Sequence, residues 1–153
     1  GRGNAGVHLI VGLGETEKEM VEAIQRSSDM GGSTHLFSFY PEPGSQMDQQ
    51  QPPPVGQYRR IQLSRYLIDK NICSIKNFIF DSSGRIGDFG LAKNEIEKIV
   101  NTGQPFMTSG CTGKDGKVAC NRPYANFPLP EIRNYPFDLM PEDIELVKKQ
   151  LWL

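Results

Sequence analysis

Residues 7–11 read VHLIV, an apolar and β-branched run of strand length with no polar alternation. A run of that kind suits a strand covered on both faces, as in a parallel sheet. The next residues, GLGE, break the strand. Thr16 followed by Glu19 is a capping box, and Met20, Ala23 and Ile24 recur at helical spacing until Gly31-Gly32 stop the helix. This is strand, glycine turn, helix. A second strand is predicted over about residues 34–40 and closes at PEPG, where proline ends the ladder and glycine permits the turn. With a further helix over residues 57–70, built on Ile61, Leu63, Leu67 and Ile68, the chain holds two βα units in succession. Successive units of this kind imply parallel neighbours joined by right-handed crossovers, so the fold class expected is α/β, an open sheet or part of a barrel.

The rest of the chain is different in kind. QQQPPP reads as an extended surface loop, and SIKNFIFDSSGRIGDFGL as a hairpin or a third strand with an irregular return. A short helix over residues 94–101 ends at Gly103. Residues 104–137 carry no sustained period and are rich in Pro, Gly and Asn, which reads as ordered coil. A last helix starts at Pro141, has Glu142 and Asp143 in its first turn and Lys148 and Lys149 near its end, and offers Ile144, Val147 and Leu151 as a buried stripe. The expected division is therefore 1–103, strands and helices, and 104–153, coil and terminal helix.

With 153 residues the chain has enough apolar surface for one domain and too little for two. Seventeen basic residues face 18 acidic ones, and no basic run could neutralise a row of phosphates or an anionic membrane face. Neither nucleic acid nor membrane is expected as a partner. No apolar stretch approaches the roughly 20 residues that span a bilayer, and no signal architecture opens the chain, so a cytoplasmic location is expected. The chain opens GRGNAGVHLI without an initiator methionine and enters a strand almost at once. It is expected to be the later part of a larger protein.

Three cysteines is an odd count, which argues against a complete disulfide framework and for reduced, catalytic or metal-bound thiols. Two of them bracket CTGKDGKVAC. Asp115-Gly116 is a favoured two-residue turn that would pair Gly113 with Val118, Thr112 with Ala119 and Cys111 with Cys120. Opposed residues hold their Cβ atoms about 4.5–5.5 Å apart, close enough for two thiolates to share a metal and slightly long for a disulfide. Disulfide, metal or cluster site, and buried thiols all stay open on spacing alone. Two cysteines cannot complete a tetrahedral zinc site, so a metal would need ligands from elsewhere. His8 and His35 lie on the predicted strands, where a lone histidine is more often a packed residue than a ligand, and Cys73 reads as a packed core thiol. Gly12 and Gly14 at the end of the first strand would let a ligand approach the backbone. GLGETEKEM has neither the Lys-Ser/Thr pair of a P-loop nor a full G-x-G-x-x-G, so it reads more simply as a tight strand-to-helix turn.

VHLIVGLGETEKEMVEAI resembles a later-strand segment of radical S-adenosylmethionine enzymes of the biotin synthase type, where a G-x-I-x-G-x-x-E pattern packs against the adenine. That pattern maps onto His8, Ile10, Gly12 and Glu15, with His8 in place of the first glycine. HLFSFYPEPGSQM is similar to the next barrel strand, and TSGCTGKDGKVACNRPYANFPLPEIRNYPF to the C-terminal segments of biotin synthase-like proteins that include archaeal two-subunit lipoyl synthases. The resemblance covers nearly the whole chain but only the second half of the family's protein. It implies the C-terminal part of a radical SAM, partial TIM-type β/α barrel with a mostly irregular extension. It also implies a 4Fe–4S cluster and S-adenosylmethionine as cofactors, and sulfur insertion into an unactivated C–H bond as the reaction. Cys111 and Cys120 are then the expected ligands of an auxiliary iron–sulfur cluster, Ser109 a further oxygen ligand, and Arg122 a hydrogen-bond partner of a bridging sulfide or a substrate carboxylate. The C-x-x-x-C-x-x-C motif that binds the family's first cluster does not occur in this sequence. A missing N-terminal half or a partner subunit is therefore implied, with a lipoyl-carrier protein or another small molecule as substrate. A non-catalytic iron–sulfur or zinc-binding subunit that pairs with a separate barrel half is the alternative, beside other radical reactions such as methylation or isomerisation.

Overall fold

Strands β1 (Gly6–Val11) and β2 (Ser33–Ser38) pair in parallel, with Val7 opposite Thr34 and Val11 opposite Ser38. The computed structural model describes residues 5–112, 118–120, 127–128 and 131–152, with backbone alone at 111, 112 and 118–120. Helix α1 (Glu17–Asp29) connects the two strands. Its capping box is formed as the sequence predicts: the Thr16 amide donates to Glu19 Oε2 at 2.8 Å, and the Glu19 amide donates to Thr16 Oγ1 at 3.2 Å. Met20, Val21 and Ile24 carry its buried face.

Alternation along β2 sorts the sheet into two faces, because successive strand residues point to opposite sides. Thr34, Leu36 and Ser38 are buried, while Ser33, His35 and Phe37 are half-buried. In β1 only Val11 is buried, and Ile10 is 46% exposed. The expectation of a strand covered on both faces is therefore corrected. Among the described residues β1 has one strand neighbour, and what covers the sheet packs on the side of Val11 and Leu36.

Helix α2 (Val55–Asp69) is the centre of the molecule. It packs on α1, on β2 and on the terminal helix α4 (Pro141–Leu151). The one-sided amphipathic helix expected from Ile61, Leu63, Leu67 and Ile68 is instead buried nearly all round, with Arg59, Arg60, Gln62 and Ser64 inside. These four polar side chains of α2 are hydrogen-bonded, as burial away from water requires. Arg60 pairs with Glu17 at 2.6 Å and donates to the Leu151 carbonyl at 2.7 Å, while the Ile86 amide donates to Glu17 Oε2 at 2.8 Å. Arg59 donates to the carbonyls of Ile132 at 2.6 Å and Arg133 at 2.7 Å, and to Gln150 Oε1 at 2.9 Å. The loop read as surface is also corrected in part: Pro53 is buried against Gly12, and Gln50 donates to the Gly12 carbonyl at 2.6 Å.

The SIKNFIFDSSGRIGDFGL segment is a hairpin of β3 (Ile79–Phe80) and β4 (Ile86–Asp88), with a register shift. Helix α3 (Lys93–Asn101) follows and stops at Gly103, which is left-handed at φ 69°. Beyond a 3-10 turn at Gln104–Phe106, β5 (Cys111–Thr112) and β6 (Val118–Cys120) pair antiparallel. Residues 131–135 then return to α2. Tyr135 is 1% exposed and anchors this return, whereas Phe137 is 49% exposed and stacks edge-on against Tyr135. The terminal helix buries Val147 and Leu151.

Candidate functional site

The face of the β1–β2 sheet that is turned away from the core carries His8 and Ile10 from β1 and His35 and Phe37 from β2. Register sets these neighbours: His8 lies opposite His35, and Ile10 opposite Phe37. The His8 ring meets His35 edge-on at 5.3 Å between centroids and Phe37 at the same distance. His35 Nδ1 lies 2.8 Å from Ser109 Oγ, a hydrogen bond between residues 74 apart in the chain. That bond joins the strand half of the expected site to the cysteine half. Burial pushes the His35 imidazole below its ordinary range, and repulsion from His8 and Arg65 adds to the effect, so the ring is neutral near pH 7.

At the end of β1 the backbone turns through Gly12 at φ 104° and Gly14 at φ 111°. A Cβ on Gly12 would stand 2.5 Å from Pro53 Cδ, so only glycine fits there. A Cβ on Gly14 would meet nothing within 4 Å. Glu15 bends back into this turn: the Gly12 amide donates to Oε1 at 2.7 Å and the Leu13 amide to Oε2 at 2.8 Å. Its carboxylate therefore holds the turn's shape, and Gly12 is taken up in it, with Pro53 over its α-carbon, its amide on Glu15 and its carbonyl accepting from Gln50.

In the β5–β6 ladder Cys111 lies opposite Cys120, as the hairpin reading predicts. The inner pairing differs: Thr112 stands opposite Val118, not Ala119, because the register shifts by a bulge after Cys111. Asp115-Gly116 and Arg122 lie outside the described residues. Cys73 is remote from this hairpin in role; it packs against the hydrophobic core, and burial pushes its thiol up to about 11.

His35 is the site residue that a linear reading misses. The sequence shows two strand histidines, but their juxtaposition depends on a parallel register, and the contact with Ser109 depends on where the tail returns. Among the described residues no group of three or more His, Cys, Asp or Glu side chains stands close enough to hold a metal ion. No helix among them is long and apolar enough to cross a membrane. The chain matches no family model, no curated protein and no solved structure.

Proposed function

We propose that the chain is the later part of a radical S-adenosylmethionine enzyme of the biotin synthase-like type, nearest in character to the archaeal two-subunit lipoyl synthases, and that it serves sulfur insertion into an unactivated C–H bond. One observation carries the reading: the sheet face bearing His8 and Ile10 is joined through His35 and Ser109 to the hairpin in which Cys111 opposes Cys120. A parallel βα pair with one open face and unpaired outer edges among the described residues is what part of a barrel presents. S-adenosylmethionine and iron–sulfur clusters supply the radical and sulfur chemistry when bound. His8 and Ile10 are proposed to offer the adenine an edge and an apolar surface, and Gly12 and Glu15 to hold the turn beside them, through the Gly12 amide that donates to Glu15 Oε1 and the Leu13 amide that donates to Oε2. Cys111 and Cys120 are proposed as thiolate ligands of the auxiliary cluster, and Arg122 as the anion partner beside it. Ser109 is engaged by His35.

The sequence lacks C-x-x-x-C-x-x-C, so the first cluster is assigned to a missing N-terminal half or a partner subunit, and the substrate to a lipoyl-carrier protein or another small molecule. The same lack favours a second reading, a non-catalytic metal-binding subunit that pairs with a separate barrel half. Two measurements decide between them. Anaerobic reconstitution with iron and sulfide should load the wild type and fail in Cys111→Ser and Cys120→Ser; equal iron in all three removes the cysteines as ligands. The chain assembled with a segment bearing the three-cysteine motif should release 5′-deoxyadenosine from S-adenosylmethionine. An assembled protein that binds iron but releases none rejects the enzyme reading.

A further inference from the structure

A cavity of about 700 Å³ opens between the β3–β4 hairpin, α3 and α4, and no residue of the histidine-bearing sheet face or the cysteine hairpin lines it. Sites that enclose a small organic molecule have volumes of about 300–1,000 Å³. The inner wall is apolar: Phe89, Val100 and Leu151 line the cavity and are 2%, 3% and 1% exposed. Trp152 also lines it but is 56% exposed, with its ring edge-on to Phe89 at 6.2 Å between centroids. Helix α3 contributes Lys93, Ile96, Glu97 and Val100, which recur at i, i+3, i+4 and i+7 and so share one helix face. One face therefore brings an apolar stripe and two opposite charges to the same opening.

The charged residues around the opening differ in what already holds them. Lys148 pairs with Glu145 at 2.8 Å, and Asp88 Oδ1 accepts from the Gly90 amide at 2.6 Å. The side chains of Lys93 and Glu97 make neither a hydrogen bond nor an ion pair among the described residues, although their i, i+4 spacing would allow one. A ligand with a charge of one sign would set that charge beside a like charge on α3. A ligand with a carboxylate, an ammonium and an apolar body meets Lys93, Glu97 and the inner wall together. Residues four apart on a helix hold their Cβ atoms about 5–6 Å apart. An amino acid carries both charges on one carbon, whereas a dipeptide separates them by a peptide unit, across which Cα atoms stand about 3.8 Å apart. We propose that this cavity binds a free-ended apolar dipeptide, with its carboxylate on Lys93, its ammonium on Glu97 and its side chains against Phe89 and Trp152. The Trp152 indole N–H is a donor for the peptide carbonyl. Neither the radical chemistry nor metal binding enters this proposal.

Trp152 is the only tryptophan of the chain, so its fluorescence reports on this cavity. The full chain, at low concentration, is titrated with three probes: leucyl-phenylalanine, its N-acetyl derivative, which lacks the ammonium, and its C-terminal amide, which lacks the carboxylate. The free dipeptide should give a saturable change in the Trp152 emission. Each of the other two should bind about two- to fivefold more weakly, as the loss of one solvent-exposed ion pair gives. Lys93→Gln should weaken the free dipeptide by a similar factor and leave the amide unaffected. Glu97→Gln should weaken it likewise and leave the N-acetyl probe unaffected. Both positions are exposed and outside the core, so both variants should fold as the wild type does. A Trp152 emission that shows no saturable response to millimolar free dipeptide overturns the proposal. So does a blocked probe that binds as tightly as the free dipeptide, or a free dipeptide whose affinity is unchanged in either variant.

Discussion

Gly12 and Glu17 show how single residues are constrained by neighbours far along the chain. Gly12→Ala places a Cβ 2.5 Å from Pro53 Cδ at φ 104°, whereas Gly14→Ala imposes a similar φ of 111° on open space. Strained backbone of this kind costs about 1–3 kcal/mol, so both variants should lower the denaturation midpoint, and Gly12→Ala by clearly more. Equal losses would mean that Pro53 yields without cost. Glu17 and Arg60 are an ion pair with side chains 6% and 4% exposed, so screening by water is small. Removing one partner of such a pair costs about 3–5 kcal/mol, because the other charge is left buried. Glu17→Ala should therefore unfold at a much lower urea concentration than wild type. Nothing local in GETEKEM marks Glu17 as buried; its partners come from α2 and β4. Cys73 is a third case. With its thiol pushed up to about 11, it should alkylate at pH 8 several times more slowly in the folded chain than in guanidinium, and equal rates would refute the burial account.

At the scale of elements, α1 is legible in the sequence in full, whereas α2 is legible in its span but not in its burial. The capping box, the apolar spacing and the glycine stop of α1 all act within about four residues, so they are written in order along the chain. Thr16→Ala should cost about 1 kcal/mol, read as a lower melting temperature. The same cap gives a pH dependence. Hydrogen bonds from Thr16 hold the Glu19 carboxyl below its ordinary value of 4.5, so the stabilisation is present above that value and is lost as pH falls through the folded pKa. Stability measured from pH 5 to pH 3 should fall less steeply in Glu19→Gln than in wild type. In α2 the apolar spacing predicts one buried face, and the structure buries Arg59, Arg60 and Gln62 as well. The guanidinium of Arg59 becomes tolerable inside because main-chain carbonyls of residues 132 and 133 receive it, with Phe106 and Tyr135 on its faces. A sequence window around Arg59 contains none of these partners.

At the scale of the whole molecule, the uncovered side of the β1–β2 sheet governs behaviour. Ile10, at 46% exposure, lies on that side, on a strand whose outer edge has no partner among the described residues. Unpaired edges and exposed apolar faces recruit other chains. The chain expressed by itself should self-associate in a concentration-dependent way, and Ile10→Lys should reduce this without lowering the denaturation midpoint. A monomer of wild type at high concentration would contradict the account. The sequence alone determined the strand–turn–helix unit, the parallel pairing of two such units, the terminal helix and the opposition of Cys111 to Cys120. Each of these follows from short-range rules of periodicity, capping and turn geometry. Only the tertiary structure decided which sheet face stays open, which charges go inside α2, and that His35 reaches Ser109. Those outcomes depend on how loops close and on which neighbours exclude water, quantities that no window of adjacent residues contains.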